Sequence, residues 1–142
     1  MKEYKFVGRN VARVDGIEKV AGAPRFTGDL VVPGMLYGKI LRSPYPHARI
    51  AAIDTSSAEA LPGVAGVLTG KDASDLHQTA RGVPVIALRE ACYQGEPVAA
   101  VAAVSEAVAE EALSLVRVDY EELPAAIGID AALKDGAPRV HD

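Results

Sequence analysis

The sequence predicts an α+β fold in a single domain, residues 1–142, built from short strands and a few short helices. Three observations predict it. The length of 142 residues matches the common domain size of roughly 100–150 residues, and a chain near 150 residues buries about 68–70% of its unfolded surface, enough for a core without staples. Nine prolines and thirteen glycines are spread along the chain rather than gathered in a linker, which cuts it into short elements joined by tight turns. Strand-like runs and one helical stripe alternate along the chain. Mixed short strands in a domain this small favour α+β over a doubly wound sheet.

In chain order, residues 4–8 read as a short strand and Val14-Asp15-Gly16 as a turn. Pro33-Gly34 is another turn, followed by an apolar run over 35–41. Ser43-Pro44-Tyr45-Pro46 breaks that run, because each proline removes a ladder donor and biases its predecessor to extended geometry. Residues 48–53 are strand-like. Asp54, Thr55 and Ser56 are good N-cap types ahead of a short helix over 57–61, which Pro62-Gly63 stops. Residues 64–68 read as a strand, 70–82 as a loop and 83–88 as a short strand.

The clearest stretch is 97–120. The continuous apolar run from Val98 to Val104 fits a strand buried on both faces. Ser105 can cap the helix that follows over about 106–114, with Glu106 complementing its dipole. Ala109, Leu113 and Val116 form its buried stripe. Val116, Val118 and Tyr120 then alternate with Arg117, Asp119 and Glu121, the period of a half-buried strand. This strand–helix–strand run reads as a βαβ-like unit. Residues 131–134 read as one more helical turn, closed by Gly136.

Composition excludes several classes. At 49% hydrophobic residues and a net charge of −4, the chain is not of the disordered class. A pI of about 5.4, with 5% aromatic residues and no Trp, argues against nucleic-acid partners. No stretch approaches the roughly 20 apolar residues of a membrane span, so no membrane role is expected. The N-terminus leads into no apolar signal core, so no export is indicated. Cys92 is the one cysteine, which fits a reducing cytoplasm and cannot build an iron–sulfur cluster of about four thiolate ligands.

Motifs for chemistry are sparse. His47, His77 and His141 stand at no metal-ligand spacing, and each reads as a surface or loop histidine. Cys92, within Glu90-Ala91-Cys92-Tyr93, reads as a small buried hydrophobe rather than a nucleophile. Gly66-Val67-Leu68-Thr69-Gly70-Lys71-Asp72 superficially resembles a phosphate loop. Its glycine spacing is one residue short, and Asp72 stands where a hydroxyl must bind magnesium. Glu110-Glu111 and the acids of 119–122 read as solvated surface rather than an acid–base pair. Arg42, His47 and Arg49 flank the double-proline loop, where they could meet an anion or an acidic partner or form a solvated rim. No catalytic, cofactor-binding or metal-binding residue is assigned.

The order of longer blocks is more specific. They are Arg13-Val14-Asp15-Gly16 with Lys19-Val20-Ala21-Gly22; Asp29 with Pro33-Gly34-Met35-Leu36-Tyr37; Arg42-Ser43-Pro44-Tyr45-Pro46-His47-Ala48-Arg49-Ile50; Leu61-Pro62-Gly63-Val64; Tyr93-Gln94-Gly95-Glu96-Pro97-Val98-Ala99; and Val118-Asp119-Tyr120-Glu121-Glu122-Leu123-Pro124-Ala125. This series resembles the N-terminal segment of the molybdopterin-binding chain of the xanthine dehydrogenase and aldehyde oxidase family, over nearly the whole chain. The resemblance implies an α/β-hammerhead: short bent mixed strands with two packed helices. It implies a holoenzyme with a molybdopterin-molybdenum centre, [2Fe–2S] clusters and FAD in some members, acting on purines, aldehydes or aromatic heterocycles, with xanthine the nominal substrate. Its partners would be molybdopterin-binding domains or a subunit carrying them, an iron–sulfur subunit and a flavin subunit.

The family's pterin contacts and catalytic glutamate lie beyond this segment, so neither Glu96 nor Glu121 is assigned as a base. Gly22, Gly34, Gly63 and Gly95 are expected to supply turns, and Pro33, Pro62 and Pro97 to fix element edges. His47 and Arg49 are candidates for docking a neighbouring chain. The expected role is therefore structural, as a hammerhead domain or split subunit; the alternative is a free-standing, non-enzymatic interaction module on the same fold. Arg139-Val140-His141-Asp142 resembles the family's passage into its next domain.

Overall fold

The computed structural model describes residues 5–73 and 84–140. His77, His141 and most of the expected loop over 70–82 lie outside these residues. The chain divides into two units, Met1–Pro33 and Gly34–Asp142.

The first unit holds a short helix, α1 (Gly16–Val20), and a 3-10 turn at Thr27–Asp29. Asp15 precedes α1 and pairs with Arg13 at 2.5 Å and Lys19 at 2.8 Å. Hydrogen bonding from Arg13, and then Lys19, holds its carboxyl below the ordinary 3.8. The expected strand over 4–8 is absent among the described residues. Residues 5–9 form bends and a turn in which the Arg9 amide donates to the Phe6 carbonyl at 3.3 Å. Gly8, at φ +78°, departs from the extended geometry a strand requires.

Among the described residues the second unit contains six strands: β1 (Tyr37–Arg42), β2 (Ala48–Asp54), β3 (Val64–Thr69), β4 (Glu90–Ala91), β5 (Pro97–Ala103) and β6 (Arg117–Glu122). They form two three-stranded sheets in the orders β1-β5-β3 and β4-β2-β6. Every ladder is antiparallel, and β1, β2 and β3 each carry a register shift. Such irregularities bend a strand, so the expected bent strands are present.

Helices α2 (Ser56–Glu59) and α3 (Glu106–Leu115) pack together against the first sheet. The core joins Ala99 and Val101 of β5 to Ala58 of α2, Ala112 of α3 and Val116, with Leu41, Ile53, Val67 and Val118 packed around it. Alanine at 58, 99 and 112 leaves little side chain between the layers, so they approach closely. The Ser105 hydroxyl accepts the Val108 amide at 3.3 Å, the cap expected for α3. Ala109 and Val116 of the expected stripe are buried, Leu113 is half-buried, and Ala112 joins them. Ahead of α2, the Asp54 carboxylate accepts the Ser56 amide and hydroxyl at 3.0 and 2.6 Å.

Three expectations are corrected. The strand–helix–strand run is not a βαβ-like unit, because β5 and β6 belong to different sheets. Both edges of β5 are occupied by β1 and β3, so α3 delivers β6 to the second sheet. The strand expected over 83–88 is not formed by residues 84–88; β4 begins at Glu90. Isolated backbone bonds still tie this segment down: the Ala87 amide donates to the Pro97 carbonyl, and the Ile50 amide to the Arg89 carbonyl, each at 2.8 Å. The last helical turn, α4 (Ile129–Ala132), starts two residues before the expected position.

The phosphate-loop-like run is the end of β3 passing into a turn at Gly70. The Asp72 carboxylate accepts the Thr69 amide at 2.8 Å and the Thr69 hydroxyl at 2.7 Å. A Cβ on Gly70 would lie 2.3 Å from the Ala87 carbonyl oxygen, so the residue is glycine because backbone crosses it there.

Candidate functional site

Three of the sequence blocks converge at one end of the second unit. The double-proline loop leaves β1, crosses the 93–96 turn and enters β2 beside the end of β6. Ser43 is buried at this crossing. Its amide donates to the Glu96 carbonyl at 2.9 Å, and its carbonyl accepts the Gly95 amide at 2.8 Å. Its hydroxyl accepts the Tyr45 amide and donates to the Tyr45 carbonyl, both at 3.1 Å, which tightens the loop. Gly95 adopts φ +93°, a region L-residues with a side chain rarely enter. The Arg42 guanidinium donates to the Gly95 carbonyl at 2.8 Å, so this arginine closes the same turn.

His47 lies in the loop, as expected, but is buried, with 6% of its surface exposed. A carbonyl only accepts, so its Nδ1 carries the proton donated to the Pro124 carbonyl at 2.8 Å. The His47 carbonyl accepts the Leu123 amide at 3.0 Å. The loop is thereby pinned twice to the block that follows β6. His47 Nε2 is buried without a hydrogen bond and faces a Glu90 carboxylate oxygen at 3.8 Å.

Arg49 stands directly between Glu90 of β4 and Glu121 of β6 in the sheet register. Its Nη1 meets Glu121 at 2.9 Å and its Nε lies 3.6 Å from Glu90. Thus Arg42 at the end of β1, His47 in the loop and Arg49 in β2 flank one crossing, and each is engaged within the fold. Sequence reasoning misses Glu90, because its cross-strand partner lies about 40 residues away, beyond any local pattern.

The remaining candidates fit structural roles. Glu96 is buried, and its carboxylate accepts the Cys92 amide at 2.5 Å. Burial, and then the Glu96 and Glu90 carboxylates, push the Cys92 thiol above its ordinary 9.0. A nucleophilic cysteine needs the opposite shift. The Cys92 Sγ–H donates to the Val140 carbonyl at 3.7 Å. Glu110, Glu111, Asp119, Glu121 and Glu122 are exposed, as the solvated reading expects.

A shallow cleft of about 280 Å³ lies beside the loop, lined by Leu41, Arg42, Pro44, Val116, Val118 and Tyr120. That is below the roughly 300–1,000 Å³ of small-molecule sites. Tyr120 meets Tyr45 edge to face at 5.3 Å, and burial, then Tyr45, raises its phenol above the ordinary 10.0. Among the described residues no three His, Cys, Asp or Glu side chains group as a metal site, and no helix is long and apolar enough to cross a membrane.

Two small antiparallel sheets, a helix pair packed on the first of them, and loop crossings that tie the strand ends together make up the second unit among the described residues. The chain belongs to the aldehyde oxidase and xanthine dehydrogenase family, whose a/b hammerhead domain model matches residues 21–124. It is 43% identical over 133 residues to a probable xanthine dehydrogenase polypeptide of Bacillus subtilis, covering 92% of this chain and 18% of that one. It is 34% identical to the nicotinate dehydrogenase large molybdopterin subunit of Eubacterium barkeri, covering 99% and 34%. Among solved structures it is similar to quinoline 2-oxidoreductase from Pseudomonas putida 86, with a TM-score of 0.82, 42% identity and coverage of 92% and 18%. The chain therefore spans about a fifth to a third of these relatives. The α/β-hammerhead read from the ordered blocks is the fold observed.

One of these relatives is named a molybdopterin subunit. The described residues do not fit a molybdenum or iron–sulfur site: the donor groups are dispersed, and the chain has one cysteine.

Proposed function

We propose that the chain, over 1–142, serves as the hammerhead domain or split subunit of a xanthine dehydrogenase-like molybdenum hydroxylase, with an assembly role and no active site of its own. The observation that carries this reading is the crossing at Ser43, His47 and Gly95. There the Ser43 backbone and hydroxyl, the Arg42 guanidinium and the His47 Nδ1 bind one loop to another. When bound elsewhere in the holoenzyme, the molybdenum cofactor supplies hydroxylation with water-derived oxygen. This chain supplies shape and contact surface to the molybdopterin-binding polypeptide. An iron–sulfur subunit and a flavin subunit complete the assembly in the cytoplasm.

Within this reading Arg42 and Arg49, both exposed, meet the neighbouring polypeptide. His47 acts from beneath, holding the loop between them. Capture of the tagged chain from its source cell tests the proposal. Recovery of a molybdopterin-containing polypeptide with a [2Fe–2S] polypeptide supports it. Recovery of unrelated proteins alone overturns it in favour of a free-standing interaction module.

A further inference from the structure

The sheet β1-β5-β3 has two faces, and the helices cover one. Ala99, Val101 and Ala103 of β5 are buried on the helix side. On the other side, strand register sets Ile40, Ala100 and Leu68 in one row and Gly38, Ala102 and Gly66 in the next. Ile40 and Leu68 are 46% and 48% exposed, Ala100 and Ala102 are partly buried, and neither row contains a charge.

The sequence of β5 treats both faces alike. Its run Val98-Ala99-Ala100-Val101-Ala102-Ala103 carries no polar alternation, the pattern of a strand buried on both sides. A one-sided sheet would instead place polar residues at 100 and 102. The Gly-Ala-Gly row lies flat between the Ile40 and Leu68 side chains and the end of the sheet, so another backbone or a large apolar side chain can approach it closely. Two-thirds or more of each relative lies outside the matched stretch, and one of them is named a molybdopterin subunit in that same chain. In those relatives the polypeptide continuous with the matched stretch is the one most directly available to cover the corresponding face.

We infer that the Ile40–Ala100–Leu68 face is the docking surface for an uncharged, apolar segment of the molybdopterin-binding polypeptide. The inference rests on the assembly role proposed above and assigns it a surface. An apolar face of this kind suits a permanent, core-like interface rather than a transient polar one.

Maleimide labelling tests it, in a Cys92→Ser background carrying Ile40→Cys or Leu68→Cys. Both variants change half-exposed positions, so the isolated chain keeps its circular dichroism spectrum. Labelling is expected to be rapid in the chain alone and at least tenfold slower once the molybdopterin-binding polypeptide is bound. A Leu68→Asp variant is expected to weaken that association by at least tenfold while the chain stays folded. Four outcomes overturn the inference: protection given only by the iron–sulfur polypeptide, protection by self-association, slow labelling already in the chain alone, or unchanged labelling in a complex that does form. The last leaves the assembly role standing. Failure of any complex to form removes the assembly role itself.

Discussion

In the sheet β1-β5-β3 the central strand buries Ala99, Val101 and Ala103 beneath helices, whereas in β4-β2-β6 the central strand sets Arg49 between two glutamates at the surface. The first sheet is cemented by apolar contact, which is non-directional and scales with area. The second contributes Ile53 and Val118 to the same core, but its outer row and loops are held by directional bonds. The difference teaches a division of labour. The apolar sheet fixes the body of the domain. The polar sheet places a loop, and with it the blocks by which the family is recognised.

Substitutions should separate the two halves. The largest effect is expected in the first sheet. Val101→Ala removes a fully buried side chain beside Ala58 and Ala112, at a cost of about 2 kcal/mol for lost burial and the cavity left behind. Urea unfolding monitored by circular dichroism reads it directly. His47→Ala leaves the Pro124 carbonyl without its donor, and about 1.5 kcal/mol of destabilisation is expected. Amide exchange should rise locally at Leu123 before the β5 amides change.

Arg49→Ala is expected to cost about 0.5 kcal/mol, because the exposed pair with Glu121 is screened by water. That loss should vanish in 1 M salt, where the Debye length is about 3 Å, whereas the Val101→Ala loss should not. The smallest effect is in pH. Thr69 holds the Asp72 carboxyl below the ordinary 3.8. The turn therefore contributes fully above about that pH and loses its contribution as pH falls through the lowered value. Asp72→Asn should flatten this part of the acid limb of a thermal-melting profile.

Much of the fold is legible in the sequence because it rests on local patterns. The apolar runs over 35–41, 48–53, 64–68 and 98–104 form strands within a residue or two at most ends. Ser105 and the 109–116 stripe mark α3. What is not legible depends on long-range choice. The pattern of 116–120 identifies β6 as a strand but is silent about which sheet it joins, and occupancy of both β5 edges decides that. A two-residue strand such as β4 leaves no periodicity to read.

The site follows the same rule. Arg42, His47 and Arg49 stand out by their place around two prolines. Their partners Gly95, Pro124 and Glu121 lie 53, 77 and 72 residues away. Burial of His47 cannot be read from its neighbours, because the cover comes from the far end of β6.

We propose that this chain completes a molybdenum enzyme without holding the metal. Size-exclusion chromatography of the tagged chain captured from its cell, with molybdenum and iron measured across the profile, tests this most directly. Both metals are expected in the peak of the complex and neither in the peak of the 142-residue chain after the complex is dissociated. Stoichiometric molybdenum travelling with the dissociated chain would contradict it.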